Sequence, residues 1–208
     1  MNMVLDSLRP RMSGFLEFIG KPFLRIPPDA ISVISFLFAI ISGVLIYEGG
    51  FFLIFAFLGI LLSSLFDAMD GFVARKTGKA SKAGDFLDHT LDRLSDIAIL
   101  AGFSFSPHGS IYIGFFAITG VLMTSYMGTQ AQSVGLKRNY RGVLGRADRL
   151  LYIMIFIIVQ IIYPFDFSYY LVFTPFTVLL LWFALAGYMT AASRFTSSFR
   201  ELSGQNKS

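Results

Sequence analysis

The chain has 208 residues, of which 55% are hydrophobic and 24 are phenylalanine, and its mean hydropathy is +0.67. This apolar share exceeds that of a soluble globular domain, so the composition predicts an integral membrane protein. The absence of cysteine excludes disulfides, thiolate metal ligands and a cysteine nucleophile. We interpret the net charge of +4 as a sign of membrane topology and of attraction to anionic lipid headgroups, and not as a nucleic-acid surface.

Residues 1–28 are predicted to form an amphipathic helix that lies on the membrane surface. Apolar residues recur there at helical spacing, and the charged residues among them leave no compact apolar core of the kind a secretory signal has. The apolar positions are Leu5, Leu8, Met12, Phe15, Leu16, Ile19, Phe23 and Leu24. We therefore expect a juxtamembrane surface helix before the first membrane span.

Six apolar runs follow, and each run with its flanks can form a helix of roughly 20 residues, the length that a bilayer core of about 30 Å requires. The runs are residues 30–47, 51–66, 97–106, 110–127, 150–164 and 169–190. The sequence thus predicts an all-α integral membrane protein with six transmembrane helices in one domain. We place the six-helix core at residues 29–200 and a flexible tail at residues 201–208.

Basic residues are confined to alternate connections between the runs. They precede the first run, separate the second from the third and the fourth from the fifth, and follow the sixth, as Arg9, Arg11, Lys21, Arg25, Arg75, Lys76, Lys79, Lys82, Lys137, Arg138, Arg141, Arg146, Arg149, Arg194, Arg200 and Lys207. The positive-inside rule then predicts that both termini and residues 67–92 face the cytoplasm. We expect a multi-pass protein of the cell membrane.

Two pairs of aspartates border the connection between the second and third runs. Asp67 and Asp70 are three residues apart and Asp88 and Asp92 four apart, so on helices each pair projects from one face. Carboxylates at a membrane are costly unless they are paired, and a hard divalent cation such as magnesium, manganese or calcium suits an oxygen-only ligand set. The alternative is a solvated face whose carboxylates pair with Lys76, Lys79, Lys82 and Arg93.

Small and phosphate-binding residue types lie beside these aspartates. Gly71, Ala74 and Gly84 allow a helix backbone or a flat ligand to come close, because they carry little or no side chain. Arg75 and Ser81 offer a guanidinium fork and a hydroxyl to phosphate oxygens. Carboxylate-bound metal, arginine and a small-residue slot together predict a diphosphate site.

Residues 67–92, DAMDGFVARKTGKASKAGDFLDHTLD, fit without a gap the pattern D-x-x-D-G-x-x-A-R, eight residues, then G-x-x-x-D-x-x-x-D. This stretch resembles the signature of the CDP-alcohol phosphotransferases of membrane lipid synthesis, and all eight fixed positions match. The six-helix layout and the Pro-Asp entry to the first helix resemble the family too. The resemblance implies transfer of a phosphatidyl or archaetidyl group from a CDP-linked lipid, CDP-diacylglycerol or CDP-archaeol, to the hydroxyl of a small alcohol, with release of CMP.

The same resemblance implies roles for individual residues. Two divalent cations, Mg²⁺ or Mn²⁺, would be held by Asp67, Asp70 and Asp88, while Asp92 would be both a metal ligand and the general base for the attacking hydroxyl. The positions that match contacts to the CDP-lipid are Asp29, Ser32, Asp70, Gly71, Ala74, Arg75, Ser81 and Gly84. The resemblance also implies a homodimer.

A second stretch, residues 125–150, bears on the acceptor. SYMGTQAQSVGLKRNYRGVLGRADRL resembles the corresponding part of the phosphatidylinositol phosphate and archaetidylinositol phosphate synthases, and Arg146 and Arg149 keep its frame. Together with Arg194, these arginines predict a site for a phosphate-bearing acceptor. Inositol phosphate and glycerol phosphate both stay open, and an unphosphorylated alcohol is the alternative, because three positions depart from the pattern: Gly128, Gln130 and Gly145.

Two other classes of protein fit part of the pattern. A transporter or channel also has several helices and intramembrane carboxylates, but it predicts broken helices and charges distributed across the bilayer. This sequence clusters its charges on one side, which favours the enzyme. A non-enzymatic metal-dependent scaffold is the third interpretation, and it gives no reason for the spacing of Gly71, Ala74 and Arg75.

Overall fold

A computed structural model describes residues 19–137, 139, 142–163 and 174–205. Within these ranges a short 3₁₀ helix, Lys21–Arg25, precedes six α-helices. These are α1 (Pro28–Glu48), α2 (Phe52–Lys76), α3 (Lys82–Phe105), α4 (Ile111–Ser133), α5 (Arg146–Ile162) and α6 (Pro175–Gln205). Each of the six apolar runs in the sequence therefore overlaps one helix.

Two short connections set the geometry of the first three helices. Gly49 and Gly50, with φ of 70° and 53°, turn the chain between α1 and α2, and Gly78, with φ of 66°, turns it between α2 and α3. Glycine suits these positions because other residues rarely adopt positive φ. Ser81 then begins α3, since its side chain accepts a hydrogen bond from the backbone N–H of Gly84 at 3.0 Å. The end of α2 and the start of α3 consequently lie at the same end of the molecule.

The helices pack as two groups that share a core. Helix α1 packs along both α2 and α3, while α4 packs along α6, and α5 contacts α2 and α6. The aromatic rings of Phe103 on α3 and Phe176 on α6 meet edge to face with centroids 4.5 Å apart, and both side chains are fully buried. This contact joins the two groups at the end of α3 away from the aspartates.

Four of the described helices are long and apolar enough to cross a membrane: Pro28–Glu48, Phe52–Lys76, Ile111–Ser133 and Pro175–Gly204. Apolar side chains on their outer faces are exposed, including Val44, Leu58 and Phe115, as expected of surfaces that contact lipid. The other two helices differ: α3 carries several charges in its first half, and α5 has only 17 residues. Length and composition thus support four of the six predicted spans.

The two ends of the chain are described only in part. Residues 1–18 of the predicted surface helix lie outside the described residues, and the part that is described ends in the 3₁₀ helix Lys21–Arg25. At the other end, α6 continues to Gln205, past the core boundary predicted at residue 200. Residues 201–205 of the predicted tail are therefore helical, and residues 206–208 lie outside the described residues.

Helices α1 and α3 approach each other closely at two glycines. A Cβ atom added to Gly102 would collide with the carbonyl oxygen of Gly43, and one added to Gly43 would collide with the carbonyl oxygen of Ala98. Such contacts are between backbone atoms, which cannot move aside as a flexible side chain can. The two glycines therefore allow α1 and α3 to pack closely at the end away from the aspartates.

We expect Gly102→Val to destabilise the fold by about 2–3 kcal/mol, because the added side chain forces α1 away from α3. Thermal unfolding of the purified protein in detergent measures the effect as a lower midpoint. Gly204→Val is the matched control, since no atom from another part of the described chain lies within 4 Å of the position its Cβ would take. Equal midpoints for the two variants would contradict the prediction.

Candidate active site

The last turns of α2 and the first turns of α3 bring the four predicted aspartates together. Carboxylate oxygens of Asp67, Asp70 and Asp88 lie within 4.8 Å of one another, and oxygens of Asp88 and Asp92 form an equally tight group with a ring nitrogen of His89. Asp70 and Asp92 are buried, with exposed fractions of 7% and 5%. We refer to Asp67, Asp70, Asp88 and Asp92 as the carboxylate cluster.

The donor set of the carboxylate cluster fits a hard divalent cation. Asp67, Asp70 and Asp88 offer oxygen ligands from three side chains at mutual distances that one ion can span, and Mg²⁺ and Mn²⁺ prefer such ligands. Buried carboxylates at this spacing repel one another unless a cation balances their charge. His89 lies 3.7 Å from Asp88 and 3.5 Å from Asp85, which makes it a neighbour of the cluster.

A serine from α1 orients one member of the cluster. The hydroxyl of Ser32 donates a hydrogen bond to Asp70 Oδ2 at 2.5 Å, and both side chains are buried. A hydrogen bond to a buried carboxylate is stronger than one between neutral groups, so it fixes the rotamer of Asp70. Helix α1 therefore takes part in shaping the site, as the predicted role of Ser32 requires.

A cavity of about 220 Å³ opens beside the cluster, between the ends of α1, α2 and α3. All eight residues predicted to contact a CDP-lipid line it: Asp29, Ser32, Asp70, Gly71, Ala74, Arg75, Ser81 and Gly84. A Cβ atom at Gly71 would lie 3.1 Å from Arg75 Nη1, and one at Gly84 would lie 3.4 Å from Asp29 Oδ1. The glycines thus leave room for these polar atoms at the cavity wall, while the part of each residue in ligand binding stays a prediction.

Three further charged residues line the same cavity: Lys79, Asp85 and Asp88. The motif assigns no role in CDP-lipid binding to Lys79, yet its position gives the cavity a second cation beside Arg75. The turn at Gly78 brings it there, and a helical pattern alone does not predict that turn. The cavity lining therefore combines basic groups with carboxylates, a combination suited to a metal-bound diphosphate.

Arg146, the first residue of α5, reaches the carboxylate cluster. Its Nη1 and Nη2 donate to Asp67 Oδ2 and Oδ1 at 2.8 and 3.0 Å, and Nη2 also lies 2.5 Å from Asp92 Oδ1. The preceding backbone N–H, of Gly145, donates to Asp148 Oδ2 at 3.1 Å, which caps the helix. The sequence predicts an acceptor-phosphate role for Arg146, and the structure places its guanidinium on two aspartates of the cluster.

Arg149 lies one turn further along α5 and is buried, with an exposed fraction of 3%. Its Nη2 donates to Asp96 Oδ2 at 2.8 Å, and Arg93 Nη1 lies 3.5 Å from the same oxygen. The Nε atom of Arg149 has no hydrogen-bond partner among the described residues. Sequence reasoning left Asp96 outside the motif, although its position four residues after Asp92 places both on one face of α3.

Arg194, the third predicted acceptor residue, lies between α6 and α4. It is buried, with an exposed fraction of 8%, and its Nη1 donates to the carbonyl oxygen of Thr124 at 2.7 Å. A Cβ atom at Gly128 would lie 3.2 Å from the same Nη1. The structure therefore brings Arg194 next to Gly128, one of the three positions that depart from the pattern of the inositol phosphate enzymes.

The chain is similar in sequence to known proteins over most of its length. A model of the CDP-alcohol phosphatidyltransferase family matches residues 25–194. The archaetidylinositol phosphate synthase of Pyrococcus horikoshii is 36% identical over 157 residues, which are 73% of this chain and 81% of the relative. The enzyme of the same name from Methanothermobacter thermautotrophicus is 32% identical over 151 residues, or 73% of this chain and 75% of the relative.

Solved structures share the fold. The phosphatidylinositol phosphate synthase of Mycobacterium tuberculosis with CDP-DAG bound superposes with a TM-score of 0.73 at 24% identity, over 88% of this chain and 93% of that chain. The same enzyme in complex with manganese and citrate gives a TM-score of 0.73 at 24% identity, over 87% of each chain. With the family match over residues 25–194, the resemblance found in the motif is confirmed, and the chain belongs to the CDP-alcohol phosphatidyltransferase family of membrane enzymes.

Proposed function

We propose that the protein transfers a phosphatidyl or archaetidyl group from a CDP-linked lipid to the hydroxyl of a small phosphorylated polyol and releases CMP. One observation carries this proposal: the eight motif residues assigned to CDP-lipid binding line a single cavity that borders the carboxylate cluster. CDP-diacylglycerol and CDP-archaeol share the diphosphate that this cavity suits. They differ only in the lipid part, so either is a candidate donor.

Two divalent cations, Mg²⁺ or Mn²⁺, would be held by Asp67, Asp70, Asp88 and Asp92. The all-oxygen donor set and the spacing of the carboxylates support this, and a relative of the same fold has a structure with manganese. Bound there, the cations would neutralise the diphosphate and stabilise the leaving CMP. Arg75, Lys79 and Ser81, at the wall of the cavity, would bind the phosphate oxygens that the cations leave free.

Asp92 is the proposed general base. The acceptor hydroxyl gives its proton to a carboxylate oxygen of Asp92 while the hydroxyl oxygen bonds to the lipid-bearing phosphorus. The bond from that phosphorus to the oxygen of CMP breaks, and CMP leaves with the electron pair. The burial of Asp92, with 5% exposed, supports the role because water is kept from the carboxylate that accepts the proton.

The acceptor proposed is a phosphorylated polyol, with inositol phosphate and glycerol phosphate as candidates. Two close relatives are archaetidylinositol phosphate synthases, and Arg146 and Arg149 lie at the start of α5 beside the cluster. The Arg149 Nε atom, without a hydrogen-bond partner among the described residues, is a buried donor that an acceptor oxygen would satisfy. Arg194 would act from α6, next to the space that Gly128 leaves.

The location proposed is the cell membrane, with the active site and both termini on the cytoplasmic side, as the basic connections predict. Residues 1–28 would lie on the membrane surface and residues 29–200 would form the catalytic core, within a homodimer. The family match removes the ground for a transporter, since the carboxylates that suggested one belong to the family motif. Comparing the reaction rates with phosphorylated and unphosphorylated acceptors distinguishes the main proposal from its alternative, transfer to an unphosphorylated alcohol.

We expect inositol phosphate or glycerol phosphate to give a kcat/KM at least about 100-fold above that of free inositol or glycerol, because two charge-assisted hydrogen bonds of about 1.5–3 kcal/mol each depend on the phosphate. CMP release by the purified protein with CDP-diacylglycerol or CDP-archaeol in mixed micelles measures this. A reaction without acceptor is the control for hydrolysis. Equal rates for phosphorylated and free alcohols would contradict the phosphate site, and no CMP with any acceptor would contradict the proposed activity.

A further inference from the structure

Arg146 occupies the same carboxylate oxygens that a divalent cation needs. Its guanidinium engages both oxygens of Asp67 and one oxygen of Asp92, and Asp67 also belongs to the group of three carboxylates within 4.8 Å. We propose that Arg146 and the divalent cations compete for the carboxylates of this cluster. Metal binding then releases the guanidinium, which becomes available to bind the acceptor phosphate. The inference rests on the metal site of the proposed function and adds a switch to it.

Electrostatics favours exchange over simultaneous binding. The carboxylates are half-buried or buried and need a cation, and the guanidinium stays protonated under all ordinary conditions, so it serves as that cation. A divalent ion bound to an Asp67 oxygen would lie close to Nη1 or Nη2, where two positive charges repel strongly at low dielectric. Moving the guanidinium away removes this repulsion.

The position of Arg146 allows such a movement. It is the first residue of α5, and its side chain is 30% exposed, whereas that of Asp92 is 7% exposed. A cation at a helix N-terminus is disfavoured by the helix dipole, so the aspartates, and not the helix, hold the guanidinium in place. When metal binds those aspartates, the side chain has a solvent-facing direction in which to turn.

Release of Arg146 would order substrate binding. The same residue is proposed to contact the acceptor phosphate. While three of its five N–H groups face Asp67 and Asp92, its positive charge is already balanced by carboxylates, and these carboxylates repel a phosphate. Metal loading would therefore convert Arg146 from an internal counter-ion into an acceptor-binding group. An acceptor phosphate would bind poorly until the cations are present.

Metal affinity gives the first test. Mn²⁺ binding to the full-length protein in detergent, without CDP-lipid or acceptor, is measured from the loss of the free Mn²⁺ signal in electron paramagnetic resonance. Arg146→Ala removes the competing cation, so we expect the apparent Kd for Mn²⁺ to fall by about 10-fold or more. Arg146→Lys keeps the charge but not the fork, and we expect a smaller fall. Lys82→Ala, which removes an exposed charge at the start of α3, is the matched control and should change Kd by less than about twofold.

Chemical modification gives a second test that needs no variant. Phenylglyoxal reacts with accessible guanidinium groups, and mass spectrometry of the digested wild-type protein reports the extent at each arginine. We expect Mg²⁺ to speed the modification of Arg146 several-fold relative to chelator, while exposed Arg200 reacts equally in both. The modification rate reports directly whether the Arg146 side chain is released. Because the wild-type protein is used, no substitution changes the charge of the site.

The outcomes separate this inference from the proposed function. Mn²⁺ binding that is unchanged or weaker in Arg146→Ala, or modification of Arg146 that Mg²⁺ does not speed, would overturn the exchange and leave the metal site intact. Wild-type protein that binds no Mn²⁺ would overturn both the exchange and the metal site. Tighter binding in Arg146→Ala together with faster modification of Arg146 in Mg²⁺ would support the exchange.

Discussion

Asp70→Asn is expected to reduce CMP formation by at least about 100-fold, since losing a direct metal ligand should cost no less than losing a residue that supports one. Asp70 is buried, accepts the Ser32 hydrogen bond and lies in the group of three carboxylates, and it also borders the cavity. An amide of the same shape carries no charge, so the cluster loses attraction for the cation without losing packing. Steady-state assays across a range of Mg²⁺ concentrations measure the effect.

The Asp70 prediction has a matched control at the end of α1 that lies away from Ser32. Glu48→Gln removes a carboxylate from the last residue of that helix, far along the chain from the motif, and its activity should remain within about threefold of wild type. Asp67→Asn and Asp88→Asn should behave like Asp70→Asn. Full activity of Asp70→Asn, or wild-type turnover in excess chelator, would show that the carboxylate cluster does not hold a catalytic cation.

The geometry of the cluster could be predicted from the sequence because it depends on local rules. Spacings of three and four residues on helices place Asp67 with Asp70 and Asp88 with Asp92. A short connection containing Gly78 then reverses the chain, so that the two pairs lie at the same end of the molecule. These rules need only helix geometry and a turn. The same holds for the small residues Gly71 and Gly84, whose lack of a side chain leaves space beside Arg75 and Asp29.

The partners of the arginines could not be predicted in the same way. Arg146 and Asp67 are 79 residues apart, and Arg194 and Thr124 are 70 apart, so their contacts depend on how α5 and α6 pack against the first four helices. Three arginines near one membrane surface suggest a phosphate site, but nothing in their spacing indicates which carboxylate or carbonyl each one contacts. Helix packing decides that, through contacts such as Phe103 with Phe176.

Helix α3 gives a third case, in which the apolar run is shorter than the helix. The apolar run at residues 97–106 covers only the last part of the helix, because residues 82–96 carry the charges of Lys82, Asp85, Asp88, Asp92, Arg93 and Asp96. Those side chains are balanced by cations from α5 and by one another, so the helix continues through a region that hydropathy alone assigns to a loop. The Ser81 cap begins the helix, and charge pairing stabilises the charged part that the apolar run does not cover.

Asp92→Asn is expected to separate chemistry from donor binding. Asp70 and Asp88 line the cavity proposed for the CDP-lipid and Asp92 does not, so its substitution should leave the affinity for the donor within about threefold. Turnover should fall by about 100-fold to 10,000-fold, the range for loss of a general base. The asparagine has the same shape and its amide oxygen can accept from the Arg146 guanidinium, which lies 2.5 Å from Asp92 Oδ1, so the local structure stays in place. Binding of CDP-lipid by calorimetry and CMP release, measured on one preparation, test both halves. An equal loss of binding and turnover would show that Asp92 acts chiefly as a metal ligand, because the donor diphosphate would then depend on it as it does on Asp70.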